Sequence, residues 1–170
     1  ALTVDGVETL NITGTDSTTA TITAHTIDID ADAAKSIVVT GNSGIVLTHS
    51  NTGTTVTSVD ASAVTGDVTY TAAAFAAAAT VSGSATATAT NAVTLTAAAA
   101  AVTYTGRGAT DTLVIANTNA QTNVINLGDG TNSLKGSTAG TETSAADGNN
   151  TVTGGSGADI FEFTATSGND

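Results

Sequence analysis

Apolar and polar residues alternate in short runs along most of this chain. The runs Leu10-Asn11-Ile12-Thr13, Thr26-Ile27-Asp28-Ile29-Asp30, Ser36-Ile37-Val38-Val39-Thr40, Gly44-Ile45-Val46-Leu47-Thr48, Val68-Thr69-Tyr70-Thr71 and Val102-Thr103-Tyr104-Thr105 carry the pattern most clearly. A period of two is that of a half-buried strand, and turn clusters such as Gly14-Thr15-Asp16 and Gly41-Asn42-Ser43-Gly44 separate the runs. Strands recurring every ten residues or so suit either a β-sandwich or a stacked β-solenoid. A sandwich needs bulky inward residues to fill a core about 10 Å thick, whereas these strands offer mainly Ile, Val, Leu and Ala. The expected fold is all-β, an elongated β-solenoid or β-roll of short stacked strands, in which each coil buries a few small side chains against its neighbours.

The alanine tracts 72–79 and 97–101 complicate that pattern, because alanine is the best helix former. Tracts this short make marginal helices without tertiary support, and both adjoin β-branched alternation. They read as extended or turn structure at places where close packing demands a methyl group, with a short helix as the alternative.

Composition sharpens the expectation. The 170 residues include 38 Thr, 32 Ala and 18 Gly, with no Pro, Cys, Met or Trp. Without proline every backbone N–H is available to a ladder, and without cysteine there is neither a disulfide nor a thiolate metal site. Fifteen acidic residues against three basic ones give a formal charge of −12, yet only 11% of residues are charged and mean hydropathy is +0.19. Disorder needs the opposite combination. So few cations argue against nucleic acid and against an anionic membrane surface as partners, and no apolar run reaches the 18 or so residues of a membrane helix. The chain starts without Met or a basic leader and stops inside a repeat-like stretch, as expected for a piece cut from a longer protein at both ends.

Organisation changes near residue 105. Residues 1–105 read as a Thr/Ala-rich strand-repeat region, and 106–170 as a nonapeptide β-roll region continuous with it. From Thr118 the sequence can be cut every nine residues. Position six is then Asn123, Asn132, Thr141, Asn150 and Asp159, and position eight is Ile125, Leu134, Thr143, Val152 and Phe161. The last unit, Gly154-Gly155-Ser156-Gly157-Ala158-Asp159-Ile160-Phe161-Glu162, matches the full GGxGxDxUx pattern of a calcium-binding β-roll. Glycines allow positive φ and turn carbonyl oxygens inward, and an Asp at the end of the turn adds a carboxylate. A hard cation such as Ca²⁺ takes six to eight oxygens at about 2.3–2.6 Å, so one turn supplies half a shell and the next turn on the same side the rest. With turns alternating sides, that partner is expected eighteen residues away. The turn 127–132 should then lie beside 145–150, with Asp129, Asn132, Asp147 and Asn150 as ligands. Gly155, Gly157 and Asp159 form the complete motif on the other side. Their inward neighbour, 136–141, is poor in ligands, and a further partner is expected at or beyond Asp170. The rival reading of all these residues is an ordinary Asn-Gly or Asp-Gly turn.

Other features carry less. Gly106-Arg107-Gly108-Ala109-Thr110-Asp111 resembles the motif with one extra residue and reads as a plain turn. Asp28, Asp30 and Asp32 alternate as on a solvated edge. His25 and His49 are isolated, no Ser/His/Asp spacing points to catalysis, and no Lys follows Gly154-Gly155-Ser156-Gly157 to make it a phosphate loop. The chain is therefore not expected to be an enzyme.

The motif Gly154 to Asp159, with the stretch Gly6-Val7-Glu8-Thr9-Leu10-Asn11-Ile12 and the Thr/Ala/Val strand repeats after it, resembles the RTX-type surface-layer proteins of Gram-negative bacteria. That resemblance implies type I secretion, Ca²⁺ as the bound ion, and self-association into a two-dimensional lattice on the extracellular cell surface. It also implies attachment to lipopolysaccharide through other parts of the full-length protein, without membrane insertion. Alternatives are the stalk of a large RTX adhesin, the secretion and folding module of an RTX exoenzyme, and an ice-binding solenoid exploiting Thr-x-Thr rows.

Overall fold

A computed structural model of the chain describes residues 1–17, 24–50, 55–72, 75–117, 121–136 and 150–162. Its elements are all strands. In chain order they are β1 (Leu2–Thr3), β2 (Thr9–Gly14), β3 (His25–Asp30), β4 (Ser36–Gly41), β5 (Ile45–His49), β6 (Ser58–Val64), β7 (Val68–Ala72) and β8 (Ala79–Ser82). There follow β9 (Thr90–Ala98), β10 (Val102–Thr105), β11 (Thr110–Asn117), β12 (Val124–Asn126), β13 (Ser133–Gly136), β14 (Thr151–Thr153) and β15 (Ile160–Glu162).

Odd and even strands part into two sheets. One runs β1-β3-β5-β7-β9-β11-β13-β15 and the other β14-β12-β10-β8-β6-β4-β2. Every pairing is parallel. The chain crosses from one sheet to the other at each turn and returns one rung further on, which is the β-solenoid expected from the strand spacing. Pairing continues without a break across residue 105, since β10 joins β8 to β12 and β11 joins β9 to β13.

The core follows from the alternation. Inward residues are fully buried, among them Ile37, Val39, Leu47, Val59, Tyr70, Val81, Val93, Tyr104 and Leu113. Outward positions of the even sheet carry hydroxyls in line: Thr9, Ser36, Ser58, Thr80 and Thr103 follow one another in register. Where they are described, the alanine tracts are strand and bend, with Ala76, Ala77, Ala99 and Ala100 in bends. Ala72 ends β7 and is buried, Ala79 opens β8, and Ala97 and Ala98 lie in β9. Coils approach so closely at one corner that a Cβ on Gly41, at φ 121°, would fall 1.8 Å from the carbonyl oxygen of Gly14.

In the nonapeptide region, coil length differs from the expected eighteen residues. Register pairs His25 with Ile45, Ile45 with Val68, and Thr112 with Ser133, so the inner coils take 20 to 23 residues. At both ends the coil is 27 residues, pairing Leu2 with Ile29 and Ser133 with Ile160. The reason is geometric: two strands and two turns set the minimum, and longer turns lengthen the coil without disturbing the ladder.

Candidate metal-binding turns

The longer coil changes which turns meet. The turn 127–132 lies against 154–159, twenty-seven residues on; of the expected partner 145–150, only Asn150 is among the described residues. Gly130 N–H donates to the Ser156 carbonyl at 2.7 Å, and both the N–H and the hydroxyl of Ser156 donate to Asp129 Oδ1, at 2.7 and 2.6 Å. The backbone repeats between the two turns: φ is 78° at Gly128 and 81° at Gly155, 126° at Gly130 and 129° at Gly157. A Cβ on Gly157 would fall 1.8 Å from the Gly130 carbonyl oxygen, so glycine is obligatory there. Twenty-seven is three nonapeptides, which is why position six still meets position six although the partner has changed. Asp159 accordingly neighbours Asn132; residues 137–141 of its expected neighbour lie outside the described residues.

Among the described residues, the side chains at position six bond from one coil to the next. Asn132 Oδ1 accepts from Asp111 N–H at 2.9 Å, and Asp159 Oδ1 accepts from Asn132 N–H at 3.2 Å. Asn132 Nδ2 donates to the carbonyls of Gly128 at 2.9 Å and Gly154 at 3.3 Å, which uses both of its hydrogens. One coil earlier, Asn91 Nδ2 donates to Asp111 Oδ1 at 2.8 Å, and Asn91 closes on Ser84 through N–H to Oδ1 at 2.7 Å and Nδ2 to carbonyl at 3.1 Å. Asn91, Asp111, Asn132 and Asp159 thus form one column in which amide and carboxylate alternate. A second column stands at the other edge. Asn123 Oδ1 accepts from Val102 N–H, and Asn150 Oδ1 accepts from both the N–H and Nδ2 of Asn123 at 3.0 and 2.9 Å. Asn132 and Asn150, expected to share one ion, therefore belong to different columns.

Asp111 was the least expected member, since its turn read as an ordinary one. It is fully buried, and its carboxylate accepts from Asn91, from the Tyr104 hydroxyl at 2.9 Å and from Gly108 N–H at 3.1 Å. Burial pushes its pKa up, and the three donors pull it partway back. Burial and the neighbouring carboxylate raise the Tyr104 pKa as well. The available signal was Gly106-Arg107-Gly108 followed by Asp, displaced by a single residue from the motif. Glycine is needed at its start because the Asp111 carboxylate packs over Gly106, as the Asp159 carboxylate packs over Gly154.

Of the remaining expected ligands, Asp129 is on the surface, and its two bonds from Ser156, side chain before backbone, lower its pKa. Asp147 and Asp170 lie outside the described residues. Gly155 and Gly157 hold the turn conformation. Phe161 pairs in register with Leu134 yet remains 43% exposed on the last described rung. A groove of about 640 Å³ opens over these turns, lined by Gly106, Arg107, Asn126, Gly128, Asp129 and Gly155 among others. Among the described residues no three His, Cys, Asp or Glu side chains converge as a metal-binding group. Asp28 receives the Ser50 hydroxyl at 3.2 Å and faces the N-terminal amine at 3.9 Å, on an exposed edge.

Two buried polar groups stand apart from either column. His49 is fully buried and neither ring nitrogen finds a hydrogen-bond partner, nor does the hydroxyl of buried Tyr70. Burial lowers the His49 pKa against the opposing pull of Asp30.

Comparison with protein-family models, with curated proteins and with solved structures finds no match to this chain.

Proposed function

We propose that this chain is a structural segment of a secreted bacterial surface-layer protein, self-associating into a lattice on the cell exterior and carrying no catalytic activity. The observation that carries this reading is the pair of continuous parallel sheets. Small buried side chains hold them together, forming a stiff body that repeats along one axis. Such a body suits load and spacing, and the resemblance of the Gly154–Asp159 motif to RTX surface-layer proteins adds the location. Attachment to lipopolysaccharide belongs, in this reading, to other parts of a longer protein.

Calcium enters as the counter-ion of an acidic surface. A charge of −12 repels both the chain itself and neighbouring copies. A divalent cation at the exposed carboxylates relieves that repulsion. The test is electron microscopy and light scattering of the purified chain in millimolar calcium, in excess chelator, and in sodium chloride of matched ionic strength. Ordered two-dimensional arrays that form in calcium and disperse in chelator are expected. Monomers under all three conditions would overturn the proposal.

A further inference from the structure

The position between the turns 128–132 and 154–159 holds a hydrogen-bond donor. Two carbonyl oxygens, from Gly128 and Gly154, converge on Asn132 Nδ2 at 2.9 and 3.3 Å. Asp159 Oδ1 accepts from the backbone N–H of the same residue. Only the amide nitrogen fits this set, because a side-chain oxygen would face two carbonyl oxygens without a proton between them. The turn backbone around it nevertheless repeats the positive-φ glycine conformations, at Gly128 and Gly155 and at Gly130 and Gly157.

We infer that the Asn132 amide takes the place of a cation between these two turns, so that this part of the solenoid closes without calcium, and that Asn132→Asp converts it into a calcium site. The chemistry is a substitution of one positive partner for another. The amide supplies two polarised N–H groups to the carbonyls at no net charge. A carboxylate at the same place leaves the carbonyls unpaired and adds an anion beside Asp159, and a hard divalent cation with its preference for oxygen ligands satisfies all of these together. The column extends the same logic inward: Asn91 Nδ2 serves Asp111 Oδ1, so amides alternate with carboxylates and no two anions are neighbours. This inference stands independently of whether the chain assembles into a lattice.

The experiment compares the wild-type chain with Asn132→Asp and Asn132→Ala in chelator, calcium and magnesium, by thermal melting and by ¹⁵N-resolved NMR of the turn amides. In wild type, the amides of Gly128, Gly130, Asn132 and Gly155 are expected to stay unmoved by calcium. Asn132→Asp should melt on the order of 5 °C lower in chelator. Calcium should then restore it, with saturable shifts of those amides that magnesium does not reproduce. Asn132→Ala should lose similar stability and regain none of it. A general effect of calcium on the acidic surface moves all three proteins equally, so the reading is the difference between them. Saturable calcium shifts of these amides in wild type would overturn the inference. So would an Asn132→Asp protein that calcium stabilises no more than it stabilises wild type, or an Asn132→Ala protein that responds as Asn132→Asp does.

Discussion

One inward column of the odd sheet passes through Ile45, Val68, Asn91 and Asp111 in successive coils and continues to Asn132 and Asp159. Its first members are buried aliphatic side chains and its later ones are amides and carboxylates, yet the backbone ladder is parallel throughout. In the first half, adhesion is non-directional: burying a Val or Ile side chain is worth about 1.5–3 kcal/mol. In the second half each coil is tied to the next by side-chain bonds to named backbone groups, each contributing about 1 kcal/mol net but costing more if left unmade. The two halves of one column show that a solenoid can be held by either means. The polar version depends on every partner being present.

The largest test of that contrast is Asp111→Ala. It strands the Asn91 amide, the Tyr104 hydroxyl and the Gly108 N–H inside the core, and should cost about 4 kcal/mol by urea unfolding. A loss below 1 kcal/mol would mean the polar column is not cooperative. The converse change, Ile37→Asn, places an amide between Leu10 and Val59, aliphatic neighbours that offer it no partner. It should cost on the order of 3 kcal/mol, and a neutral result would show that the apolar half can accept the polar arrangement.

The smallest effect concerns His49, whose unpartnered ring is an exception within the apolar half. Its pKa in the fold lies below the ordinary value. As pH falls below about 6.5 the unfolded chain therefore takes up the proton first, and stability present above that pH is lost. His49→Leu should stabilise the chain by about 1 kcal/mol at neutral pH. It should also remove up to about 1.4 kcal/mol per pH unit of acid sensitivity below pH 6.5. Asp111 acts with the opposite sign, since its raised pKa lets the folded state protonate first. Unfolding free energies measured from pH 7 to 5 with and without His49 separate the two, and identical slopes would remove His49 from the account.

Much of this was legible beforehand. The period of two, the absence of proline and the scarcity of large side chains pointed to stacked short strands, and the nonapeptide phase placed Asn123, Asn132, Asn150 and Asp159 at equivalent positions. What could not be read was the partner of each. Turns that alternate sides every nine residues group Asn132 with Asn150, whereas the coil there spans three nonapeptides. Asp111 escaped notice because the glycines of its turn are out of step with the motif, although the turn keeps the length of its neighbour, with Thr105 paired to Asn126 and Thr112 to Ser133, and brings the carboxylate into the column.

The amino-acid sequence by itself determined the kind of structure, because alternation and composition act locally, through which side chains a strand can bury and which turns glycine permits. Only the tertiary structure decided which oxygen meets which donor. That pairing depends on the number of residues in each coil, a sum over both sheets and their turns, and a difference of nine residues exchanges every neighbour while leaving each local pattern unchanged.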